Sequence, residues 1–205
     1  RSHRRILVID GRIGFTGGYG VSDAWTGNGR MPKHWRDTNV RIEGPVVSFL
    51  QTAFAESWLE TTGIAIGGND YFPRLDHAGT TQAQIVKSSP LGGSFQNYML
   101  FLLSINSAKK SIFITNPYYI PDEVMTDALV KAAGRGVRVI ILTPGTIDNR
   151  FTYTASRSHY GPLLLGGVEV FEYKAALMHA KTIVVDGLWA TIGSTNIDNR
   201  SFALN

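Results

Sequence analysis

Two histidines, His3 and His179, each stand two residues ahead of a cation, Arg5 and Lys181, and seven ahead of a carboxylate, Asp10 and Asp186. Four mostly apolar residues separate cation from carboxylate in each copy, Ile6 to Ile9 and Thr182 to Val185. Such runs read as buried strands, and strand alternation sends each histidine and its cation to one face. A neutral imidazole beside a fixed cation suits a phosphate ester, because the cation holds the phosphoryl oxygens while the ring serves as nucleophile or acid. One His-x-Lys is equally an exposed pair at a strand edge; two copies of the same constellation are far harder to obtain by chance. The copies also share the glycine after each Asp and a later glycine, Gly17 against Gly193. Repetition of this kind implies a pseudo-two-fold arrangement in which one histidine attacks phosphorus and the other protonates the leaving oxygen.

The elements around these residues can be read in order. Residues 5–10 and 13–16 form two strands joined at Gly11-Arg12, ahead of the glycine-rich Gly17 to Gly20. Residues 23–38, with Trp25, His34, Trp35 and Arg36, form an irregular loop that either lines a pocket or packs on the surface. A strand at 38–43 leads through Gly44-Pro45 into a helix whose stripe of Val47, Leu50, Phe54 and Trp58 is read as core. Periodicity lapses over 60–81, where the halves join. A strand at 82–88, a helix at 95–108 and a strand at 111–115 follow. A helix then opens at Pro121-Asp122-Glu123 and stops at Gly134-Arg135-Gly136. Residues 137–142 read as a strand covered on both faces; a helix at 149–165 and a strand at 168–172 return the chain to the second constellation. Alternating strands and helices predict an α/β layered fold with largely parallel pairing.

Composition bounds the rest. The chain has 205 residues, 43% hydrophobic and 18% charged, which is the balance of a globular protein. A net charge of +4, with Arg1, Arg4, Arg5 and Arg12 crowding the first constellation, favours an anionic partner. There is no cysteine, so disulfides and thiolate metal sites are excluded. His34, His77 and His159 lack paired metal-ligand spacing, and Gly92-Gly93 and Gly166-Gly167 match no nucleotide loop, so neither a metal nor a cofactor is expected. The longest apolar stretch, 98–105, is too short to span a bilayer.

The second constellation, written H-x-K-x4-D-x6-G-S-x-N, resembles the phospholipase D superfamily, and the two copies resemble its two-repeat members. The stretches WRDTNVRIEGPVVSFLQTAFAESW, NPYYIPD, KAAGRGVRVIILTPG, LLLGGVEVFEY and HAKTIVVDGLWATIGSTNIDNRSF are similar to those of bacterial cardiolipin synthases, so the resemblance covers nearly the whole chain. It implies mixed, largely parallel sheets flanked by helices, in two pseudo-symmetric halves (residues 1–75 and 82–205) that share one cleft. It also implies a phosphohistidine on His3 or His179, with His3 the expected nucleophile and the other ring acting as acid and base. Arg5 and Lys181 would grip the phosphate, Asp10 and Asp186 would complete the catalytic set, chiefly by orienting it, and Ser194, Asn196 and Gly18 would line the substrate position. Asp23 and Asp198 would orient the imidazoles. Three positions depart from the pattern: Arg5 replaces Lys, and Gly18 and Gly20 stand where the second copy has Ser194 and Asn196.

By the same resemblance the substrate is an anionic phospholipid, phosphatidylglycerol, met at a membrane surface, and nucleic acid is not the expected partner. The activity implied is phosphatidyl transfer that makes cardiolipin. Hydrolysis by the same site and a degenerate lipid-binding module are the alternatives. About ninety residues precede His179 within its own half but only two precede His3, and the 37–58 strand and helix have no counterpart after Asn205. The natural protein is therefore expected to extend beyond both ends and to reside at the bacterial cell membrane.

Overall fold

The computed structural model describes residues 3–87, 96–146, 150–198 and 201–202. Arg1, Ser88, Gly92, Gly93, Phe95 and Asn149, used in the expectations above, lie outside them.

Eight strands form two sheets. The first is antiparallel, in the order β1 (Ile6–Ile9), β2 (Ile13–Gly17) and β3 (Asn39–Glu43), with helix α1 (Val47–Thr62) packed on β1 and β2. The second has the order β6-β5-β4-β7-β8, with β4 (Ser111–Thr115), β5 (Arg138–Pro144), β6 (Glu169–Tyr173), β7 (Thr182–Val185) and β8 (Trp189–Ile192). Helices α2 (Gln96–Ser107), α3 (Glu123–Gly134) and α5 (Tyr160–Leu165) lie side by side along it, and α4 (Arg150–Ser158) packs on α5. Only β4-β5-β6 pair in parallel; β7 and β8 join antiparallel, as does all of the first sheet. The expectation of a mixed α/β fold holds, but parallel pairing is confined to the strands joined by helical crossovers, because a tight hairpin joins only antiparallel strands.

The core of the larger sheet follows from alternation. Ile112, Ile114, Val139, Ile141, Ile183 and Val185 point at the helices and are buried against Ile105, Met125, Leu129 and Leu163. Asp122 caps α3 by accepting from the Met125 N–H at 2.8 Å, and its other oxygen accepts from the Tyr98 hydroxyl at 2.7 Å, which ties α2 to α3. The opposite face is less covered among the described residues: Phe113 and Phe171 are exposed, so β5 does not lie in a sheet shielded on both sides.

Other expectations are corrected. Val47 and Leu50 are buried, but Phe54 and Trp58 stack on each other at 39% and 40% exposure, so the buried stripe of α1 covers only its first turns. Residues 82–87 form no strand. The expected helix at 149–165 is broken at His159, between α4 and α5. Strand β8, hidden in the sequence by Gly187-Leu188, completes the second hairpin.

The hairpins β1-β2 and β7-β8 repeat one another residue for residue. The pairs Ile6↔Thr16 and Ile9↔Ile13 answer to Thr182↔Ile192 and Val185↔Trp189. Each turns on an Asp-Gly with positive φ at both residues, 54° and 64° in the first and 56° and 70° in the second. This is the twist that a tight hairpin requires. The carboxylate of Asp186 accepts three backbone N–H bonds, from Lys109 at 2.9 Å and from Lys110 and Ser111 at 2.7 and 2.9 Å, and so pins the loop that enters β4. Those donors hold its pKa below the ordinary 3.8. Stabilisation from a carboxylate depressed in this way is present above its ordinary pKa and fades as pH falls through the lowered value. Asp186→Ala is therefore expected to lower the urea midpoint at neutral pH, and the gap from the parent should narrow in strong acid. A constant gap across that range would mean that the carboxylate charge is not what holds the loop.

Candidate active site

His179 and Lys181 stand in the extended lead-in to β7, and the strand period places them on one side, as the sequence predicts. Both are buried, each with only 4% exposed. The Lys181 ammonium donates to the His179 backbone carbonyl at 2.6 Å and lies 3.1 and 3.2 Å from Nδ1 and Nε2 of the ring.

The Nδ1 atom of His179 is 2.6 Å from Oδ2 of Asp37. Asp37 is 3% exposed, and its Oδ1 accepts from the Thr38 N–H at 2.8 Å, while Oδ2 also accepts from the Trp25 indole at 2.9 Å. An ionised carboxylate only accepts, so Nδ1 carries the ring proton and Nε2 keeps the lone pair; the Lys181 ammonium, nearly equidistant from the two nitrogens, does not lie along it. Backbone pairing delivers Asp37 to this position: the Arg36 N–H donates to the Leu177 carbonyl at 2.8 Å, and the His179 N–H donates to the Arg36 carbonyl at 2.7 Å. Trp25 and Trp35 then enclose the imidazole, with ring centroids 5.4 and 5.1 Å away, and Tyr118 meets it edge-on at 6.4 Å.

His3 lies close enough to this cluster to sense its charges. Its pKa is held below 6.5, first by burial and then by Arg5, Lys181 and His179, against a backbone hydrogen bond with Ser194 that pushes upward. Its Nδ1 has no partner among the described residues. Burial also lowers His179, and Lys181 adds to this, while the hydrogen bond to Asp37 pulls the other way. Arg5 donates to the Gly18 carbonyl and lies 5.3 Å above the Trp25 ring. The two cations and both histidines thus converge from hairpins far apart in sequence.

The glycine departures have a steric cause. A Cβ on Gly18 would stand 2.1 Å from Oδ1 of Asp37, and one on Gly20 would stand 2.8 Å from the Trp25 ring. Space that Ser194 and Asn196 occupy in the second hairpin is filled in the first by Asp37 and Trp25. Asn196 is buried with its Oδ1 unpartnered among the described residues. Its loop is held by Asn116, whose Oδ1 accepts from the Ile197 N–H at 3.2 Å. A cleft of about 1040 Å³ opens beside the cluster; Arg5, Lys181, Ser194, Asn97 and Asn116 line it, though neither histidine ring does.

Four expected site residues stand elsewhere. Asp10 and Asp186 occupy the hairpin turns, five residues beyond Arg5 and Lys181, roughly 17 Å along an extended strand. The oxygens of Asp198 are taken by the N–H and hydroxyl of Ser201 at 2.7 and 2.8 Å, and Asp23 is exposed on a short turn. The carboxylate on the His179 ring is Asp37, which sequence reasoning passed over because an Asp before a strand carries no spacing signal. The one clue was complementary: two glycines where side chains belong mean that other side chains enter. Among the described residues no group of three or more His, Cys, Asp or Glu is placed to hold a metal.

Comparison with known proteins bears on this geometry. Residues 102–205 match a family model described as the cardiolipin synthase, PLD-like domain. The chain belongs to this phospholipase D-like family. It is 41% identical over its whole length to cardiolipin synthase 2 of Staphylococcus epidermidis, and 42% identical to a cardiolipin synthase of Staphylococcus aureus. It spans 42% of the length of each relative. A phospholipase D family member, Nuc from Salmonella typhimurium, matches 53% of this chain and 69% of its own at 27% identity, with a TM-score of 0.44.

Because both rings are held below 6.5, the unfolded chain binds more protons just under that pH, and stability falls as pH falls through it. Urea midpoints taken between about pH 7.5 and about pH 5.5 should decline in the parent and decline less in His179→Gln. An equal slope in both proteins would contradict this placement of the imidazole.

Proposed function

We propose that this chain carries the active site of a phosphatidyltransferase that makes cardiolipin from two molecules of phosphatidylglycerol. The observation that carries the proposal is the convergence of two His-cation pairs, from separate hairpins, on one buried cluster in which a single carboxylate holds one ring. His3, ringed by cations, is the neutral nucleophile. Its ring nitrogen bonds to phosphorus, the bond from phosphorus to the glycerol oxygen breaks, and His179 gives that oxygen its proton. Asp37 is what allows His179 to carry the proton in a buried setting. In the second half-reaction His179 takes the proton from a hydroxyl of another phosphatidylglycerol, whose oxygen displaces His3 from phosphorus.

Lys181 and Arg5 hold the non-bridging oxygens, and Arg keeps the charge of the Lys it replaces while presenting a fork of donors. Ser194 and Asn196 add neutral donors, and Gly18 lets backbone approach the phosphate. Asp10 and Asp186 act by fixing the hairpins that carry these groups. The two hairpins belong to two halves, residues 1–75 and 82–205, that close on one cleft. Asp23 and Asp198 support the loops after each motif. The whole protein works at the bacterial cell membrane; among the described residues no helix is long and apolar enough to cross it.

Incubating the full-length protein with phosphatidylglycerol alone should yield cardiolipin and glycerol. Phosphatidic acid with glycerol would make it a hydrolase, and no turnover would make the site a binding module. Labelled lipid quenched during turnover should leave phosphorus on His3. Loss of the general acid in His179→Ala should cost about 10²- to 10⁴-fold and leave a trace of activity on a p-nitrophenyl diester, whereas His3→Ala should leave none. Label on His179 would reverse the two roles.

A further inference from the structure

Trp25 has no part in the reaction as drawn, yet it makes the second hydrogen bond to the oxygen that holds His179. Oδ2 of Asp37 lies 2.6 Å from Nδ1 of His179 and 2.9 Å from Nε1 of Trp25. Several contacts fix the indole. Its backbone N–H donates to the Ser22 carbonyl at 3.1 Å, its ring meets Trp35 at 4.5 Å, and Gly20 leaves the room that the ring occupies.

We propose that Trp25 is a positioning residue whose indole N–H shares Oδ2 of Asp37 with the His179 ring, and so sets the pH at which His179 gives up its proton. An indole N–H donates at every working pH and never accepts. Held on the carboxylate oxygen, it stabilises the negative charge there and weakens the pull of that charge on the imidazolium. It also keeps the carboxylate from rotating away from Nδ1. Tyr118, ahead of α3, meets the ring edge-on at 6.4 Å; the charged or chargeable groups of basic type that face it are Lys181 from the same strand lead-in, and Arg5 and His3 from the first hairpin. All three are cationic or become so, and all oppose protonation. Asp37 is therefore the counterweight, and the donors on Asp37 decide how strongly it acts. The inference rests on the proton-carrying role given to His179 above, but its test does not require turnover.

The test is to titrate the His179 ring by NMR in the full-length protein carrying isotope-labelled histidine, with the resonance assigned by its loss in His179→Gln. Trp25→Phe keeps a ring and removes the donor, so the His179 midpoint should move up by about half a unit or more. Gly20→Ala keeps every side chain of the cluster but drives a methyl into the Trp25 ring, and should move the midpoint the same way. In the parent, the Trp25 indole proton should shift with the same midpoint as His179, a reading that needs no variant. An unchanged or lowered midpoint in folded Trp25→Phe and Gly20→Ala, or an indole proton indifferent to the titration, would overturn the proposal. If the midpoints move as expected while phosphatidylglycerol is not converted, the assigned reaction fails and the role of Trp25 stands. If conversion is seen and the midpoints coincide, the reverse holds.

Discussion

The hydrogen bond between Asp37 and His179 links residues 142 apart in sequence, and the rest of the site depends on it. A carboxylate this deeply buried must be satisfied, since an unpaired buried charge costs several kcal/mol. Here every donor that satisfies Asp37 also does something else. Thr38 begins the lead into β3, Trp25 walls the imidazole, and His179 is a candidate for the chemistry itself. Backbone bonds on either side, between Arg36 and Leu177 and between His179 and Arg36, lay the two segments parallel before any side chain is considered. Joining the segment ahead of β3 to the segment ahead of β7 and arming His179 are thus a single event.

The hairpins show how one backbone pattern takes on unlike duties. Their register and their Asp-Gly turns are the same, yet Asp186 binds three amide groups while Asp10 faces solvent. After the turn the difference grows. The second hairpin fills its space with its own Ser194 and Asn196, whereas the first leaves glycines and lets Asp37 and Trp25 in. A sequence repeat therefore does not mean that each copy carries the same groups. The first copy contributes through a neighbouring loop what the second contributes directly, and the asymmetry leaves only one of the two histidines with a carboxylate partner among the described residues.

Much of this was legible in the residues. Strands with alternating or continuous apolar character, β1, β2, β4, β5 and β7, are local properties, and so are the Asp122 cap and the His179-Lys181 juxtaposition that follows from a period of two. The stripe of α1 was misread at Phe54 and Trp58 because periodicity tells which side is apolar but not how far the covering layer extends. Asp37 was missed for a related reason. Its role is set by a parallel bridge to residues 177–179, a contact between distant segments that leaves no periodic trace. The place of Asp198 was not legible either: proximity in sequence to the second constellation does not say where a side chain turns, and its oxygens accept from Ser201, three residues on.

The central claim is that Asp37 serves the reaction only through His179. The most direct measurement is a double-mutant cycle on the rate of the reaction proposed for the full-length protein, conversion of phosphatidylglycerol, using Asp37→Asn, His179→Gln and the pair together. If the two groups form one unit, the double variant should be no slower than His179→Gln alone, because the carboxylate has nothing left to hold. Losses that multiply would mean that Asp37 and His179 serve the reaction independently, and would contradict the account.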